Sequence, residues 1–274
     1  MRSRKLFGTI GVNIFAWILS IILITPLILI LINSLKTSHA ASDMNLNLPE
    51  SIQFDNFLTV IQKGDLGTTF LNSLVYSIFS VLLCTLTSSM AAYVLSRNRS
   101  KANRIIYFLI VLGITMPVNF IALMKVMQVL QIVNTKIGII LLYSALQTPF
   151  NVFLMYSFVG KIPKDIDEAA IIDGCSPLRL FFSIIFPLLK PVLVTVMVLT
   201  FLNTWNEYVM PLYYAGKSTN WPMTLAVYKF FGMYFKEWNL VCADIVLTSL
   251  PVIIVYLAGQ KYIVSGMTAG AVKG

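Results

Sequence analysis

The chain has 274 residues, of which 58% are hydrophobic and only 11% are charged. A soluble globular domain carries about a quarter of its residues as charged side chains, so this composition excludes an ordinary soluble domain. The net charge of +9 does not indicate nucleic-acid binding, because the sequence has no soluble domain that could present a basic face.

Long uncharged runs interrupt the sequence, and each is long enough to cross a bilayer. A helix needs about 20 apolar residues to cross about 30 Å of hydrocarbon. Four runs have no charged residue, and two more have Lys190, Glu207 or Asp244 near their ends. Because these runs are continuously apolar and do not alternate, they predict helices and not the strands of a barrel. The six predicted spans are residues 6–35, 66–96, 105–124, 137–160, 184–210 and 238–260.

The first run has a cleaved signal peptide as its alternative interpretation. It follows Met-Arg-Ser-Arg-Lys, and Ser38-His39-Ala40 resembles a cleavage site. The hydrophobic region of a signal peptide has about 7–15 residues, whereas this run has 30. We therefore expect an uncleaved first helix.

The lysine and arginine residues predict that both termini lie in the cytoplasm. Six spans place the termini on the same side, and cytoplasmic termini leave thirteen of the 20 basic residues inside. Cytoplasmic loops carry an excess of Lys and Arg, so this orientation is favoured over its reverse. The basic residues that remain outside are Lys36, Lys63, Lys125, Lys136, Lys217, Lys229 and Lys236.

Proline and aromatic residues leave two questions open. Pro26, Pro117, Pro149 and Pro251 lie inside predicted spans. Such prolines either kink a helix near a binding site or are simply tolerated in membrane helices. The aromatic-rich residues 211–237 fit an interfacial belt, with a lid over a pathway as the alternative.

Between the fourth and fifth spans, the sequence predicts two short helices separated by a turn. Asp165 and Glu168 place carboxylates at a helix start, and their spacing fits a capping box. Gly174 supplies a helix stop, and Ser176-Pro177 has the cap and first-turn residues of a second helix. This pattern fits either an ordinary interfacial loop or a knob that enters a socket in another protein.

The same stretch resembles the EAA loop of ATP-binding-cassette importer permeases. Two further segments resemble carbohydrate importer permeases of the maltose type. One is Thr204-Trp205-Asn206-Glu207-Tyr208 in the fifth span, and the other is residues 266–274, which resemble the end of the second permease subunit of that type. Cys175 stands where alanine is usual in this loop, and Phe186 where leucine is usual. The matching residues of the loop are Glu168-Ala169-Ala170, Asp173-Gly174, Ile185-Phe186-Pro187 and Pro191.

This resemblance implies an all-α integral membrane protein of six transmembrane helices, with one permease domain over residues 1–274. It implies a cytoplasmic coupling loop at about residues 161–187 and a cytoplasmic tail at about residues 261–274. Within the loop, the residues implied to dock in a cleft of an ATPase are Glu168, Ala169, Ala170, Asp173 and Gly174.

The function implied is that of a permease subunit in an ATP-driven, binding-protein-dependent importer of sugars or oligosaccharides. The location implied for the protein is the bacterial cytoplasmic (inner) membrane. The implied partners are a second permease subunit, two cytoplasmic ATPase subunits and an extracytoplasmic solute-binding protein.

The chain itself is not expected to hydrolyse ATP. Residues 214–218 resemble the end of a phosphate-binding loop, but the full pattern needs a glycine where Pro211 stands. One histidine, His39, and three scattered cysteines offer no metal-binding spacing. We therefore expect a non-catalytic subunit without a cofactor or metal, with ATP and magnesium bound to the partner ATPase.

Two other classes of function remain as alternatives: an ion-coupled secondary transporter and a permease for a solute that is not a sugar. An ion-coupled carrier uses ionisable groups inside the membrane, and the spans offer Glu207 and Asp244. Each lies 17 residues from a cytoplasmic lysine, or about 25 Å along a helix, so both are predicted near the outer interface. A membrane enzyme lacks any candidate catalytic constellation.

Candidate solute-contacting residues lie at the end of the fifth span. Asn203, Trp205, Asn206 and Glu207 have amide, aromatic and carboxylate groups of the kinds that bind sugars. Asn203 and Asn206 share a helix face, which makes them candidates to face a pathway. In the best-known relatives the partner permease supplies most sugar contacts, and the sequence does not name the sugar.

Overall fold

The computed structural model describes the backbone of residues 2–231 and 237–271, and side chains of residues 11–231 and 237–263. Residues 232–236 of the aromatic segment and the end of the tail, 272–274, lie outside the described residues. The helices in chain order are α1 Arg2–Ser34, α2 Ser38–Ala41, α3 Asp55–Lys63, α4 Leu66–Arg97, α5 Lys101–Leu112, α6 Phe120–Val129, α7 Lys136–Val159, α8 Asp165–Ile172, α9 Pro177–Leu180, α10 Phe186–Leu188, α11 Lys190–Asn206, α12 Val209–Tyr214, α13 Met223–Ala226 and α14 Trp238–Ala271.

Four helices among the described residues are long and apolar enough to cross a membrane. They are Gly11–Ser34 within α1, Leu66–Arg97, Lys136–Val159 and Trp238–Ile263 within α14. A fifth span results if the bent pair Pro177–Leu188 and Lys190–Asn206 crosses as one unit. The all-helical class is therefore confirmed, while the count of six spans stays a prediction.

The third predicted span, residues 105–124, is wrong as one continuous helix. It consists of α5 and α6, with non-helical residues 113–119 between them. Pro117 lies in this break, where it cannot donate a hydrogen bond and keeps the preceding residue out of the helical conformation. Gly113 is the first residue of the break and packs closely on Pro149. A Cβ at Gly113 would lie 2.8 Å from the Pro149 Cγ, so only glycine fits there without a shift. The Asn119 side chain then accepts from the Ala122 amide and starts α6.

The other three prolines of the spans lie inside helices that continue through them. Pro26, Pro149 and Pro251 are within α1, α7 and α14 respectively. A break in the helix occurs only at Pro117 among the four, and for the other three both interpretations, a kinked helix and a tolerated proline, stay open.

The fifth predicted span, residues 184–210, is also corrected at both ends. The helix α11 covers Lys190–Asn206, and the segment Pro177–Leu188 meets it at an angle of 79°. A π-helical turn at Phe181–Ile185 and the nearby Pro187 and Pro191 disturb the regular hydrogen bonds at this bend.

The chain divides into two compact units, and the first contains residues 1–67 and 226–250. Its centre is polar as well as apolar. Lys36 is buried and donates to Asn33 Oδ1 at 3.1 Å and to Asn45 Oδ1 at 2.8 Å. Asn239 Nδ2 donates to Asn56 Oδ1 at 2.8 Å. The expectation of one domain over residues 1–274 stays a prediction.

The second unit contains residues 68–225 and 251–274 and has two apolar clusters. One lies beneath the coupling loop and gathers side chains of α4, α7, α8, α9 and α11. The other joins the beginnings of α4 and α7 to α6 and α12, with Tyr76, Tyr143 and Tyr214 at its centre. The first cluster fixes the coupling loop against the ends of two long helices, which makes it the base of the candidate site.

Candidate functional site

Helix α8 begins the coupling loop with three acidic residues in its first turn. These are Asp165, Asp167 and Glu168, and carboxylates at this end interact favourably with the helix dipole. The predicted capping box is wrong in its details. Lys164 occupies the N-cap position, and no side chain within the described residues caps this end. Asp165 already belongs to the helix, so it does not serve as the cap.

Gly174 ends α8 as the sequence predicts. Its φ is +77°, in the left-handed region that glycine adopts without strain. The amide of Gly174 donates to the Ile171 carbonyl at 3.0 Å, and that of Cys175 donates to Ala170 at 3.0 Å. A Cβ at Gly174 would meet no described atom within 4 Å. Backbone conformation, and not lack of space, therefore requires glycine here.

The second short helix, α9, has the predicted start. The Ser176 hydroxyl accepts from the Arg179 amide at 3.4 Å, and Pro177 takes the first helical position. Leu180 and Phe181 are buried beneath it in the apolar cluster. The two predicted short helices separated by a turn are thus confirmed, and we call them the knob, while its entry into another protein stays a prediction.

The predicted docking residues lie together on this knob, but they are not equally accessible. Glu168, Ala169, Asp173 and Gly174 are exposed, whereas Ala170 is 4% exposed and belongs to the cluster beneath. Large aliphatic side chains near them in the sequence are also exposed: Ile171 is 63% exposed, Ile172 84% and Leu178 64%. We call the exposed residues 168, 169, 171–174 and 178 the docking surface. Carboxylates beside exposed aliphatic groups are suited to contact another protein.

Asp167 is the acidic residue of α8 that faces inward. It is 8% exposed, and its Oδ2 forms an ion pair with Arg97 Nη2 at 2.8 Å. The Tyr93 hydroxyl donates to Asp167 Oδ1 at 2.6 Å. Arg97 Nη1 also donates to the Ile162 carbonyl at 2.9 Å. We call Tyr93, Arg97 and Asp167 the Asp167 clamp.

Sequence reasoning missed this clamp. The sequence places Asp167 in the acidic first turn of a predicted helix and Arg97 in a basic segment between two predicted spans, and neither pattern indicates a pairing. The two residues are 70 positions apart, so no local spacing connects them. Their shared signal is weak: each is a charged residue that follows the end of an apolar segment.

The candidate solute-contacting residues at the end of α11 separate into two groups. Asn203 and Asn206 are exposed, and Asn203 Nδ2 donates to Gln147 Oε1 at 3.1 Å. Trp205 is 1% exposed, stacked on Phe201 with ring centroids 5.5 Å apart. The indole of Trp205 is therefore part of the packing and not of an accessible surface. Gln147, on α7, is an amide that the sequence reasoning did not select.

Glu207 has a structural task at the end of α11. Its Oε1 accepts from the Val209 amide at 2.7 Å and from the Met210 amide at 3.1 Å, which caps the start of α12. The Glu207 carbonyl accepts from the Thr224 hydroxyl at 3.1 Å. This side chain therefore fixes the turn after α11, a role that sequence reasoning did not assign.

A buried amide connects three long helices below this end. Asn151 of α7 has no exposed surface, and its Nδ2 donates to Cys84 Sγ of α4 at 3.0 Å and to Thr200 Oγ1 of α11 at 2.9 Å. Polar side chains that bond across helices contribute to helix association in membranes. This contact joins α7 to α4 and α11, the helices that flank the coupling loop and that bear the exposed amides.

Comparison with known proteins identifies the family of this chain. The family model described as "binding-protein-dependent transport system inner membrane component" matches residues 84–269. The chain belongs to this family. As an inner membrane component, it is a membrane permease with several apolar helices, and the match covers both the coupling loop and the end of α11.

Relatives of this inner membrane component extend the match over nearly the whole chain. The probable starch degradation products transport system permease protein AmyC of Thermoanaerobacterium thermosulfurigenes is 35% identical, covering 93% of this chain and 94% of AmyC. The melibiose/raffinose/stachyose import permease protein MelC of Bacillus subtilis is 32% identical, over 100% of both chains. A crystal structure of a bacterial ABC transporter involved in the import of alginate contains a chain with a TM-score of 0.84 and 25% identity, covering 96% of this chain and 98% of that one.

Proposed function

We propose that this inner membrane component is one of two permease subunits of an ATP-driven importer of oligosaccharides. The observation that carries the proposal is the docking surface, an exposed group of carboxylates and aliphatic side chains on a firmly packed knob. The named relatives are described as transporting starch degradation products and melibiose, raffinose or stachyose, which favours oligosaccharides as the solute class.

The proposed partner on the docking surface is a cytoplasmic ATPase. Glu168, Ala169, Asp173 and Gly174 contact a cleft in it, and Ala170 supports them from beneath. Two ATPase subunits, a second permease and an extracytoplasmic solute-binding protein complete the complex. ATP and magnesium bind to the ATPase subunits, and this chain contributes no catalytic group, cofactor or metal.

The proposed topology has six crossings in the bacterial inner membrane, with both termini in the cytoplasm. The helices α5 and α6 together make the third crossing, and α11 makes the fifth. Residues 1–274 act as one permease domain, whose tail from about residue 261 extends towards the ATPase subunits. The basic residues of the loops support this orientation.

The proposed solute pathway passes the end of α11. Asn203, Asn206 and Gln147 offer exposed or partly exposed amides, and Glu207 fixes the turn that follows them. Trp205 supports this surface from the packed interior. Amide groups that pair with hydroxyl groups suit a sugar better than an ion or an apolar solute.

The test is ATP hydrolysis and solute uptake by the purified chain, alone and together with its permease, ATPase and binding-protein partners. We expect no vanadate-sensitive hydrolysis by the chain alone, and vanadate-sensitive oligosaccharide uptake by the complete complex. Uptake that persists in vanadate and stops with an uncoupler would favour the ion-coupled alternative. Vanadate-sensitive turnover by the isolated chain would contradict the proposal.

A further inference from the structure

The Asp167 clamp ties the docking helix to two long helices at once. Asp167 belongs to α8, and both of its carboxylate oxygens are held by residues of α4: Arg97 at 2.8 Å and Tyr93 at 2.6 Å. The Arg97 guanidinium also reaches the Ile162 carbonyl at 2.9 Å and that of Val159, the last residue of α7, at 3.5 Å. One guanidinium therefore connects α8, the end of α4 and the end of α7.

The clamp is protected from water and packed on its other side. The side chains of Arg97 and Asp167 are 14% and 11% exposed, so their attraction is screened less than that of a surface pair. The Tyr93 ring lies 5.6 Å from the Phe181 ring, measured between centroids, and the Arg97 guanidinium lies 6.0 Å from the Tyr93 ring. Phe181 belongs to the π-helical turn before the bend into α11.

The clamp and the docking surface meet in one cavity. A cavity of about 210 Å³ is lined by Tyr93, Arg97, Lys164, Asp167, Glu168 and Ile171. Glu168 and Ile171 of the docking surface are exposed members of this lining, while the three clamp residues are buried or half-buried. Any partner that contacts Glu168 comes directly next to the ion pair.

We propose that the Asp167 clamp makes α8 move as one body with α4 and α7, so that it transmits movement of the ATPase to the solute pathway. The inference rests on the proposed function, because it takes the docking surface to be held by the ATPase. Asp167, Arg97 and Tyr93 are positioning residues in this scheme, since they contact neither ATP nor solute. Without the clamp, α8 stays bound to the ATPase but changes its orientation relative to α4 and α7.

A distance measurement between α4 and α8 tests this directly. Spin labels are placed on cysteines that replace Val94, on the exposed side of α4, and Asp165, at the exposed start of α8. Cys175 is replaced by alanine, while Cys84 and Cys242 are buried. The distance distribution is recorded by electron paramagnetic resonance in nanodiscs, for the chain alone and for the complete complex without nucleotide and after trapping with ATP and vanadate.

With the native clamp, we expect a narrow distribution that shifts by less than about 2 Å on trapping. Asp167→Asn and Arg97→Gln remove the ion pair, and the distribution then broadens and shifts on trapping, with the amount of bound ATPase and trapped vanadate unchanged. Arg97→Lys keeps the charge and restores a narrower distribution than Arg97→Gln. A role in folding alone would not give this order among variants that bind equal amounts of ATPase.

Three results would overturn the inference. The first is a native distance that changes by more than about 2 Å on trapping. The second is a native distribution in both Asp167→Asn and Arg97→Gln. The third is loss of ATPase from both variants, which would make Asp167 part of the docking or folding of the loop. Failure of the proposed function is a separate result: the native chain would bind no ATPase, and the distances in the chain alone would still decide whether the clamp fixes α8.

Discussion

Asp167 and Glu168 are consecutive residues of α8, yet the first is 8% exposed and paired with Arg97 while the second is exposed on the docking surface. Neighbouring residues of a helix do not share a face, so one turn supplies an internal anchor and an exposed residue that we propose contacts the ATPase. This division separates stability from docking and allows each to be tested by itself.

Glu168→Ala is expected to reduce ATPase binding without reducing stability. Because Glu168 is exposed and does not cap α8, its loss should change the free energy of unfolding by no more than about 0.5 kcal/mol. The measurement is the amount of ATPase that co-purifies with equal amounts of inserted chain. Asp165→Ala is the matched control, since it removes the same charge from the same exposed turn outside the docking surface. Equal ATPase binding by both variants would contradict docking through Glu168.

Gly174→Val is expected to deform the knob through its backbone. A β-branched residue at φ +77° is strained by about 1–3 kcal/mol, although the site has room for a side chain. Gly174→Asn is the control, because asparagine tolerates left-handed conformations. We expect ATPase binding to fall in the valine variant and to be largely kept in the asparagine variant. Equal loss in both would mean that the side chain itself obstructs docking.

Cysteine labelling is expected to place Lys101 and Lys217 on opposite sides of the membrane. Both positions are exposed in the structure, so a cysteine at either is accessible to reagent from its own side. In intact cells a membrane-impermeant maleimide should label Lys217→Cys but not Lys101→Cys. The reverse pattern would invert the proposed orientation, and permeabilised cells provide the control for reactivity at both sites.

Glu207→Ala is expected to destabilise the turn after α11. The alanine variant loses two hydrogen bonds from backbone amides, and loss of a helix cap costs about 0.5–2 kcal/mol. Glu207→Gln keeps an acceptor oxygen and should be close to the native chain in thermal unfolding. If uptake fails in the glutamine variant while stability is kept, the charge of Glu207 serves the solute pathway in addition to the cap.

Much of the fold followed from apolar length and turn chemistry. Apolar runs predicted α1, α4, α7 and, with the single Asp244 near its start, α14, because a long run with little or no charge has few stable conformations other than a helix in a bilayer. The left-handed turn at Gly174 and the cap at Ser176 followed from local residues alone. These features depend on interactions between residues near in sequence.

The remaining features depend at least in part on contacts between segments that are distant in the sequence. The break at residues 113–119 lies in a run as apolar as the others, and it depends partly on the approach of Gly113 to Pro149. The pairing of Arg97 with Asp167 joins two distant segments. The burial of Trp205 depends on Phe201 and on helix packing, so residue type suggested a sugar contact where the structure has a packed ring.

Cross-linking from Ala169 tests whether the docking surface contacts the ATPase. Ala169 is exposed within the docking surface and lies next to Glu168, so a cysteine there should be within reach of the ATPase cleft. In the complete complex, with Cys175 replaced by alanine, we predict that a short thiol–amine cross-linker joins Ala169→Cys to the ATPase, and that Lys217→Cys gives no such product. An ATPase that co-purifies with the chain but does not cross-link from position 169, or that cross-links equally from position 217, would contradict docking of the ATPase on this surface.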